Sequence, residues 1–470
     1  MGKHFFFIGI GGSGMSGLAQ VVYWQGNSVS GSDRNFDQRR EKETLAFFKS
    51  QGIKIFPQNG SGISRKVDEV VISGAIEEEN LDLKRARELS LSVVTRAELL
   101  ARIFNPSQGI AIAGTSGKST ITAMVAKIMD EAFFDPTVIN GAIISEYKNK
   151  DRLGNAKIGK SNYMVIEADE SDGSLVKFSP EIGVLANISK DHKPVNELME
   201  IFSQFIQNTK RTRIINYDCP FSRKLLFSFP RDWFITFGFT AGSEVWAEEI
   251  KLNGMESVFR VDGVPFHLPL PGRHNVANAL AAIALGIALN LPLPKISQAL
   301  EKFSGVERRL TLIGEINGIK VFDDFSHNPT KIAAAIETLK HLSCRLILVY
   351  QPHGFGPTKL FKRELIATFN SSLEKTDILI LLDIFYAGGR AEKTISSQDL
   401  EKDIIIPQVQ YISERKEVIK RLTFLARPGD VVVVMGARDN TLTDLSQKIL
   451  INLRMQDSLK TKRILAEEKK

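Results

Sequence analysis

Short apolar runs alternate with segments of helical period along almost the whole chain. Phe5 to Ile8 is the first run. Ile110 to Ala113 opens a second series, just after the breaker cluster Asn105-Pro106-Ser107-Gln108-Gly109. A third series begins past Gly305, with runs near Ile319–Phe322, Leu346–Tyr350, Ile378–Leu382 and Val431–Met435. Unbroken apolar runs separated by helical segments read as strands of parallel sheets covered by helices. The stretch from about 245 to 271 differs. Asn253-Gly254 and Asp262-Gly263 are hairpin turn signals between short alternating strands, which predicts a small antiparallel insertion. Helical pattern resumes after Pro271-Gly272, with Val276, Ala279, Leu280 and Ile283 on one face. The pattern predicts an α/β chain of three domains, 1–107, 108–306 and 307–470.

Length agrees, since 470 residues hold about three domains at roughly 150 residues each. The chain is 43% apolar and 24% charged, enough for ordinary cores. No apolar run approaches the ~20 residues of a membrane-spanning helix, so no membrane insertion is expected. The opening Met1-Gly2-Lys3-His4 into Phe5 has signal-peptide flavour, but a glycine turn follows at once without a cleavage site. It reads as a first strand of a cytoplasmic protein. Two cysteines, Cys219 and Cys344, suit a reducing compartment and offer no metal spacing. The net charge of +7 comes from dispersed Lys and Arg, except in the tail after Arg454. It reads as solvated surface that also favours phosphorylated ligands, not as a nucleic-acid face.

Candidate chemistry sits at the ends of the strands. Gly9-Ile10-Gly11-Gly12-Ser13-Gly14 lies between a strand and a helix, a layout in which backbone N–H groups approach a diphosphate at the helix N-terminus. Asp33 lies 19 residues past Gly14, where an acidic residue meets a ribose hydroxyl. The motif serves NAD and a UDP-sugar alike. Gly114-Thr115-Ser116-Gly117-Lys118-Ser119-Thr120 follows the strand Ile110–Ala113 and precedes a helix. It is a short phosphate loop, with Ile112 where the first glycine would stand. Its amides and helix dipole suit ATP phosphates, with Lys118 on the β/γ-phosphates and Ser119 on Mg²⁺. That makes the central domain a P-loop-type ATPase. Glu167-Ala168-Asp169-Glu170-Ser171-Asp172 ends one strand, and Asn187-Ile188-Ser189-Lys190-Asp191-His192 ends the next. Glu167 and His192 are read as metal ligands beside the phosphates, and the other acids of the first run as caps or solvated charge. His274-Asn275-Val276-Ala277-Asn278 opens a helix, Gly305-Val306-Glu307-Arg308-Arg309 follows the central domain, and Asp323 to Thr330 ends a third-domain strand. Helix capping, surface charge and a polar turn would each explain these three alone.

In this order the motifs resemble the Mur ligase superfamily, from Phe6 to about Gly436. Ile8 to Gly17, Ser30-Gly31-Ser32-Asp33 and Val71 to Ile76 are similar to the family's UDP-binding segments. Glu167 to Asp172 is similar to the signature of its alanine-adding branch. The resemblance implies Rossmann-like N- and C-terminal domains around the ATPase domain, and an ATP-dependent ligase acting on UDP-N-acetylmuramate and an amino acid or short peptide. As monomer or homodimer it would serve peptidoglycan synthesis. Gly9, Gly11, Gly12, Ser13, Gly14, Met15, Ser16, Ser32, Asp33 and Ser73 would hold the UDP-sugar. Ser119, Glu167 and His192 would organise magnesium, and Asn275 and Asn278 would face the adenine. Arg309, Arg308 and Asp324 would serve the ATP side from the third domain. Lys118, Glu167, His192 and Arg309 would be catalytic. Phe325, His327 and His353 would meet the acceptor.

The sequence departs from the pattern in places. Ser116 stands where the alanine-adding branch has His, and Ser119 replaces a Thr. Gln351-Pro352-His353-Gly354-Phe355-Gly356-Pro357-Thr358 resembles a Gln-Pro-His-Arg-aromatic-x-Arg-Thr segment whose two arginines are here Gly354 and Pro357. Lys359 is expected to reach the acceptor carboxylate instead. Asp323-Asp324-Phe325-Ser326-His327 is similar to the branch that attaches a whole tripeptide during recycling, the alternative reading. An inactive Mur-like protein and an NAD-dependent oxidoreductase are the other rivals. The oxidoreductase leaves Lys118 and Glu167 without a role.

Overall fold

The structure is a computed structural model. It describes residues 2–171, 173–191, 193–343, 345–386 and 393–467, with side chains as far as 457. The chain divides into two compact units, Met1–Val306 and Glu307–Lys470.

The first unit carries two parallel sheets. One holds β1 (His4–Ile8), β2 (Ser28–Ser32), β3 (Lys54–Phe56), β4 (Glu69–Ile72) and β5 (Ser92–Thr95), in the order β3-β2-β1-β4-β5. Phe6 and Phe7 in β1 are fully buried, as a strand covered on both faces requires. The order reverses at β1, so the crevice between the carboxyl ends of β1 and β4 is the expected ligand position.

The second sheet holds β6 (Gln108–Ala113), β7 (Thr137–Ile139), β8 (Ala156–Lys157), β9 (Tyr163–Glu167), β10 (Ile182–Leu185), β11 (Thr212–Asn216), β12 (Phe234–Gly238) and β13 (Val245–Trp246). Its order is β13-β12-β11-β10-β6-β9-β7-β8. Only the β7–β8 pair is antiparallel. Here the order reverses at β6, between β9 and β10. The helix Lys118–Glu131 after β6 buries residues on nearly every face, from Ser119 to Met129. The helix Arg273–Ala288 shares its core.

The insertion is a three-stranded antiparallel sheet, β14 (Glu248–Asn253), β15 (Glu256–Val261) and β16 (Val264–Leu268). Asp262 (φ 47°) and Gly263 (φ 72°) make its second turn, with both φ positive as that hairpin turn demands.

The second unit has one sheet, β17 (Thr311–Ile316), β18 (Ile319–Asp324), β19 (Arg345–Tyr350), β20 (Ile378–Leu381), β21 (Val409–Tyr411) and β22 (Asp430–Met435). It runs β17-β18-β22-β19-β20-β21, parallel except for the edge strand β17, which was not foreseen in the sequence. Among the described residues no helix is long and apolar enough to cross a membrane.

Candidate active site

Gly9 follows β1 with φ 84°, and its N–H reaches Ser32 O at 2.7 Å. The helix Ser13–Trp24 starts after Gly12, which caps it without a side chain. A Cβ on Gly11 would stand 2.9 Å from the Phe36 ring and 3.0 Å from Asp33 Oδ2. Asp33 is buried there, accepting N–H groups from Gly11 at 2.9 Å and Asn35 at 2.8 Å. Burial raises its carboxyl above the usual range, and the two N–H bonds work against that. So Asp33 fastens the glycine turn to the short helix Arg34–Asp37 in this structure. Ser32 donates to the buried Asp82, which also accepts the Gly60 N–H. Ser73 Oγ lies 3.9 Å from the position of a Cβ on Gly9, across the β1–β4 crevice. Met15 is buried in the core, and Ser16 is buried too. Gly14 packs against Arg96, a residue that sequence reasoning passed over.

The phosphate loop leaves the end of β6. Gly114 and Gly117 have φ of 132° and 86°, and a Cβ on Gly117 would meet Asn278 Oδ1 at 2.4 Å. Asn187, after β10, clamps the loop. Its carbonyl accepts Thr115 N–H at 3.0 Å, its Oδ1 accepts Ser116 N–H at 3.0 Å, and its Nδ2 donates to Ser116 O at 2.9 Å. The Thr115 hydroxyl accepts the Ser189 N–H at 3.0 Å. Ser119 and Thr120 are buried in the first turn of the helix, while Ser116 Oγ is buried with no hydrogen-bond partner.

Lys118 Nζ donates to Gly114 O at 2.8 Å and to Glu170 Oε2 at 2.6 Å, with Asp169 at 3.9 Å. Burial acts to lower the ammonium, but Glu170, Asp169 and Glu167 outweigh it and hold Lys118 above its ordinary value. Reading Glu170 as solvated or capping charge is thereby corrected. It is 2% exposed, and a carboxylate so buried needs a cation. Glu167 closes β9 opposite Ile112 and accepts the Gly141 N–H at 2.8 Å. His192 and Asp172 lie outside the described residues. Among the described residues no group of three His, Cys, Asp or Glu is arranged to hold a metal ion. Ser119 and Glu167 are nevertheless oxygen donors of the kind magnesium takes, at neighbouring strand ends.

Asn275 donates to Pro271 O at 2.8 Å, and Asn278 donates to Asn275 Oδ1 at 3.3 Å. With Gly117 against its Oδ1, Asn278 sits under the phosphate loop. Arg273, at the start of the same helix, lies 3.9 Å over the Phe239 ring.

In the second unit Arg308 and Leu310 have positive φ, 60° and 49°. Asp324 holds this bend, accepting N–H groups from Leu310 and Ser326, each at 2.8 Å. Arg308 donates to Gly436 O at 2.6 Å and Asn440 at 2.9 Å, with Asp323 at 3.5 Å. Arg308 and Asp324, expected on ATP, are thus engaged inside their own unit. Arg309 stands 4.9 Å over the Phe325 ring. His327 packs edge-on against Phe325 at 5.6 Å and His353 at 4.5 Å. Lys359 is exposed and reaches Thr394 Oγ1 at 3.4 Å.

The chain matches three family descriptions in series. They are "Mur ligase family, catalytic domain" over residues 4–108, "Mur ligase middle domain" over 112–286 and "Mur ligase, glutamate ligase domain" over 308–438. It is 34% identical to the UDP-N-acetylmuramate–L-alanine ligase of Agrobacterium fabrum, over 93% of this chain and 94% of that one. The chain belongs to the Mur ligase family. This Mur ligase is also 36% identical to the enzyme of the same name from Geobacter sulfurreducens, over 92% of this chain and 94% of that one. Among solved structures it resembles a UDP-N-acetylmuramate-alanine ligase from Thermotoga maritima. The TM-score is 0.79 at 25% identity, covering 97% of this chain and 99% of that one. A murein peptide ligase from Psychrobacter arcticus shares the fold, with TM-score 0.73 at 23% identity, covering 96% of this chain and 99% of that one.

Proposed function

We propose that this Mur ligase uses ATP to join L-alanine, or a related amine, to the carboxylate of UDP-N-acetylmuramate in peptidoglycan synthesis. One observation carries the reading. A glycine turn and a Lys118 loop stand at the reversal points of two parallel sheets in one unit, which supports a chain that binds two phosphorylated ligands. Relatives similar over nearly the whole length are alanine ligases.

A carboxylate is a poor acyl donor, because oxide leaves badly. In the first step a carboxylate oxygen bonds to the γ-phosphorus of ATP, the bond to the β-bridging oxygen breaks, and ADP leaves. Such a transfer depends on positioning and charge neutralisation. Lys118 exchanges its bond to Glu170 for phosphate oxygens. Ser119 and Glu167 would hold magnesium, which supplies further positive charge. The amine then attacks the acyl carbon, phosphate departs with the C–O electron pair, and the amine loses a proton. Lys118 is a candidate cation for the tetrahedral oxyanion, as bound magnesium would be. Both nucleotide substrates are cytoplasmic, and so, on this reading, is the enzyme.

Gly354 and Pro357 favour a second reading, attachment of a tripeptide. The test is phosphate release from ATP with UDP-N-acetylmuramate, screened against single amino acids and short peptides. Release that requires the UDP-sugar and alanine is expected. Release with tripeptide alone selects the second reading, and none with any amine overturns both.

A further inference from the structure

Four polar side chains are buried where the helix Ser13–Trp24 meets the β7–β8 hairpin. Ser16, Gln20, Asn140 and Asn155 are 3%, 1%, 1% and 4% exposed. Asn155 Nδ2 donates to Ser13 O and to Ser16 Oγ, both at 2.8 Å. Gln20 Nε2 donates to Asn155 Oδ1 at 2.9 Å and to Ser16 O at 3.0 Å, and Gln20 Oε1 accepts the Leu153 N–H at 3.3 Å. The Asn155 carbonyl accepts the Asn140 N–H at 2.9 Å. The next residue, Gly141, gives its N–H to Glu167. Gly17 permits the approach, since a Cβ there would lie 3.4 Å from Asn155 O and 3.3 Å from Ile139.

Hydrogen bonds therefore run from Ser13 to Glu167, with one covalent step from Asn140 to Gly141. Apolar side chains would pack these elements without the desolvation that buried amides suffer. What the amides add is a single fixed geometry. One end of the series is the helix start where a diphosphate is expected. The other is the carboxylate beside Lys118. Asn140 Oδ1 is buried with no hydrogen-bond partner, so the joint between the ends is one bond short of full satisfaction.

We propose that Asn155 is a positioning residue, coupling occupancy of the UDP-sugar turn to the placement of Glu167 and hence to ATP binding. The proposal rests on the functional reading above. A ligand that settles the Ser13–Ser16 turn settles the bonds Asn155 makes, and through Asn140 the Gly141 donor. The coupling is thermodynamic and acts equally in both directions.

The test is calorimetry with a non-hydrolysable ATP analogue, in the presence and absence of UDP-N-acetylmuramate. First, the parent must bind the UDP-sugar alone; failure there rejects the functional reading rather than the coupling. In the parent, UDP-sugar should tighten the analogue by about fivefold or more, within the usual range of such couplings. In Asn155→Leu, which loses donation to Ser13 and Ser16 without burying a charge, the factor should fall to about one while the folded fraction is kept. Gln20→Met, which removes the donor shared by Asn155 Oδ1 and Ser16 O, should lower the factor in the same direction. A merely structural Asn155 would change melting temperature and leave the coupling intact. An uncoupled parent, or a folded Gln20→Met variant with parental coupling, overturns the proposal.

Discussion

Glu170 accepts the ammonium of Lys118 at 2.6 Å, on the site where the phosphates of ATP are expected. The carboxylate pairs the buried cation in this structure. Lys118→Ala should lower ligation by more than about a hundredfold, roughly 2.7 kcal/mol in barrier. UDP-sugar binding without nucleotide should stay within about twofold, because Lys118 makes none of the hydrogen bonds that join the glycine turn to Glu167. Steady-state rates and calorimetry check the two halves. Turnover within about tenfold of the parent would remove Lys118 from the chemistry.

Gly141 sits against Glu167 so closely that a Cβ would stand 2.6 Å from its Oε2. Glu167 has a flexible side chain and yields, so Gly141→Ala should fold. Its carboxylate is then displaced. The rate should drop by about ten- to a hundredfold while the melting temperature moves by only a few degrees. Equal activity in the variant would detach Glu167 from the reaction.

The acceptor contact separates two lysines. Lys359 is exposed and turned toward Thr394, whereas Lys331 occupies the first turn of the helix after Asn328 and acts electrostatically on His327. His327 in turn packs on His353, the residue before Gly354. Lys331→Ala should therefore raise the Michaelis constant for alanine by about tenfold, the scale of one charge-assisted bond. Lys359→Ala should change it less. The reverse order would support the compensating role that the sequence suggests for Lys359.

Burial, followed by the charges of Lys331 and His353, holds the His327 imidazole well below its ordinary range. Such a histidine takes up its proton more readily when unfolded. Its contribution to stability is thus present above the unfolded value of about 6.5 and is lost as pH falls below it. Urea unfolding at pH 7.5 and 5.5 should show the second unit weakening at the lower pH. His327→Gln should reduce that slope by up to one proton, about 1.4 kcal/mol per pH unit. An unchanged slope would mean that His327 titrates normally.

The strands and the glycine turns were legible because they are local. β1, β6, β19 and β22 each carry an unbroken apolar run, and Asp262-Gly263 carries its turn geometry in its composition. Glu167 and Lys118 stand out as charged residues beside apolar strands, and the structure brings them within electrostatic reach of each other. Asn187, Asn155 and Arg96 did not, because each works through a partner distant in sequence and looks ordinary alone. Asp324 and Arg308 show the converse. Their residue types suggest a ligand, and their bonds around the left-handed bend at Arg308 and Leu310 could not be read from the sequence. The edge strand β17 has half-buried residues and hence no apolar run to reveal it.

The Asn187 amide pairs with both polar groups of the Ser116 peptide, much as a neighbouring strand would. A loop ordered this way before nucleotide arrives surrenders little chain entropy on binding. Nucleotide affinity would then follow charge and ionic strength rather than loop composition. Asn187→Ala would slow capture by leaving the loop to search for its shape, even though Asn187 itself need never touch a phosphate.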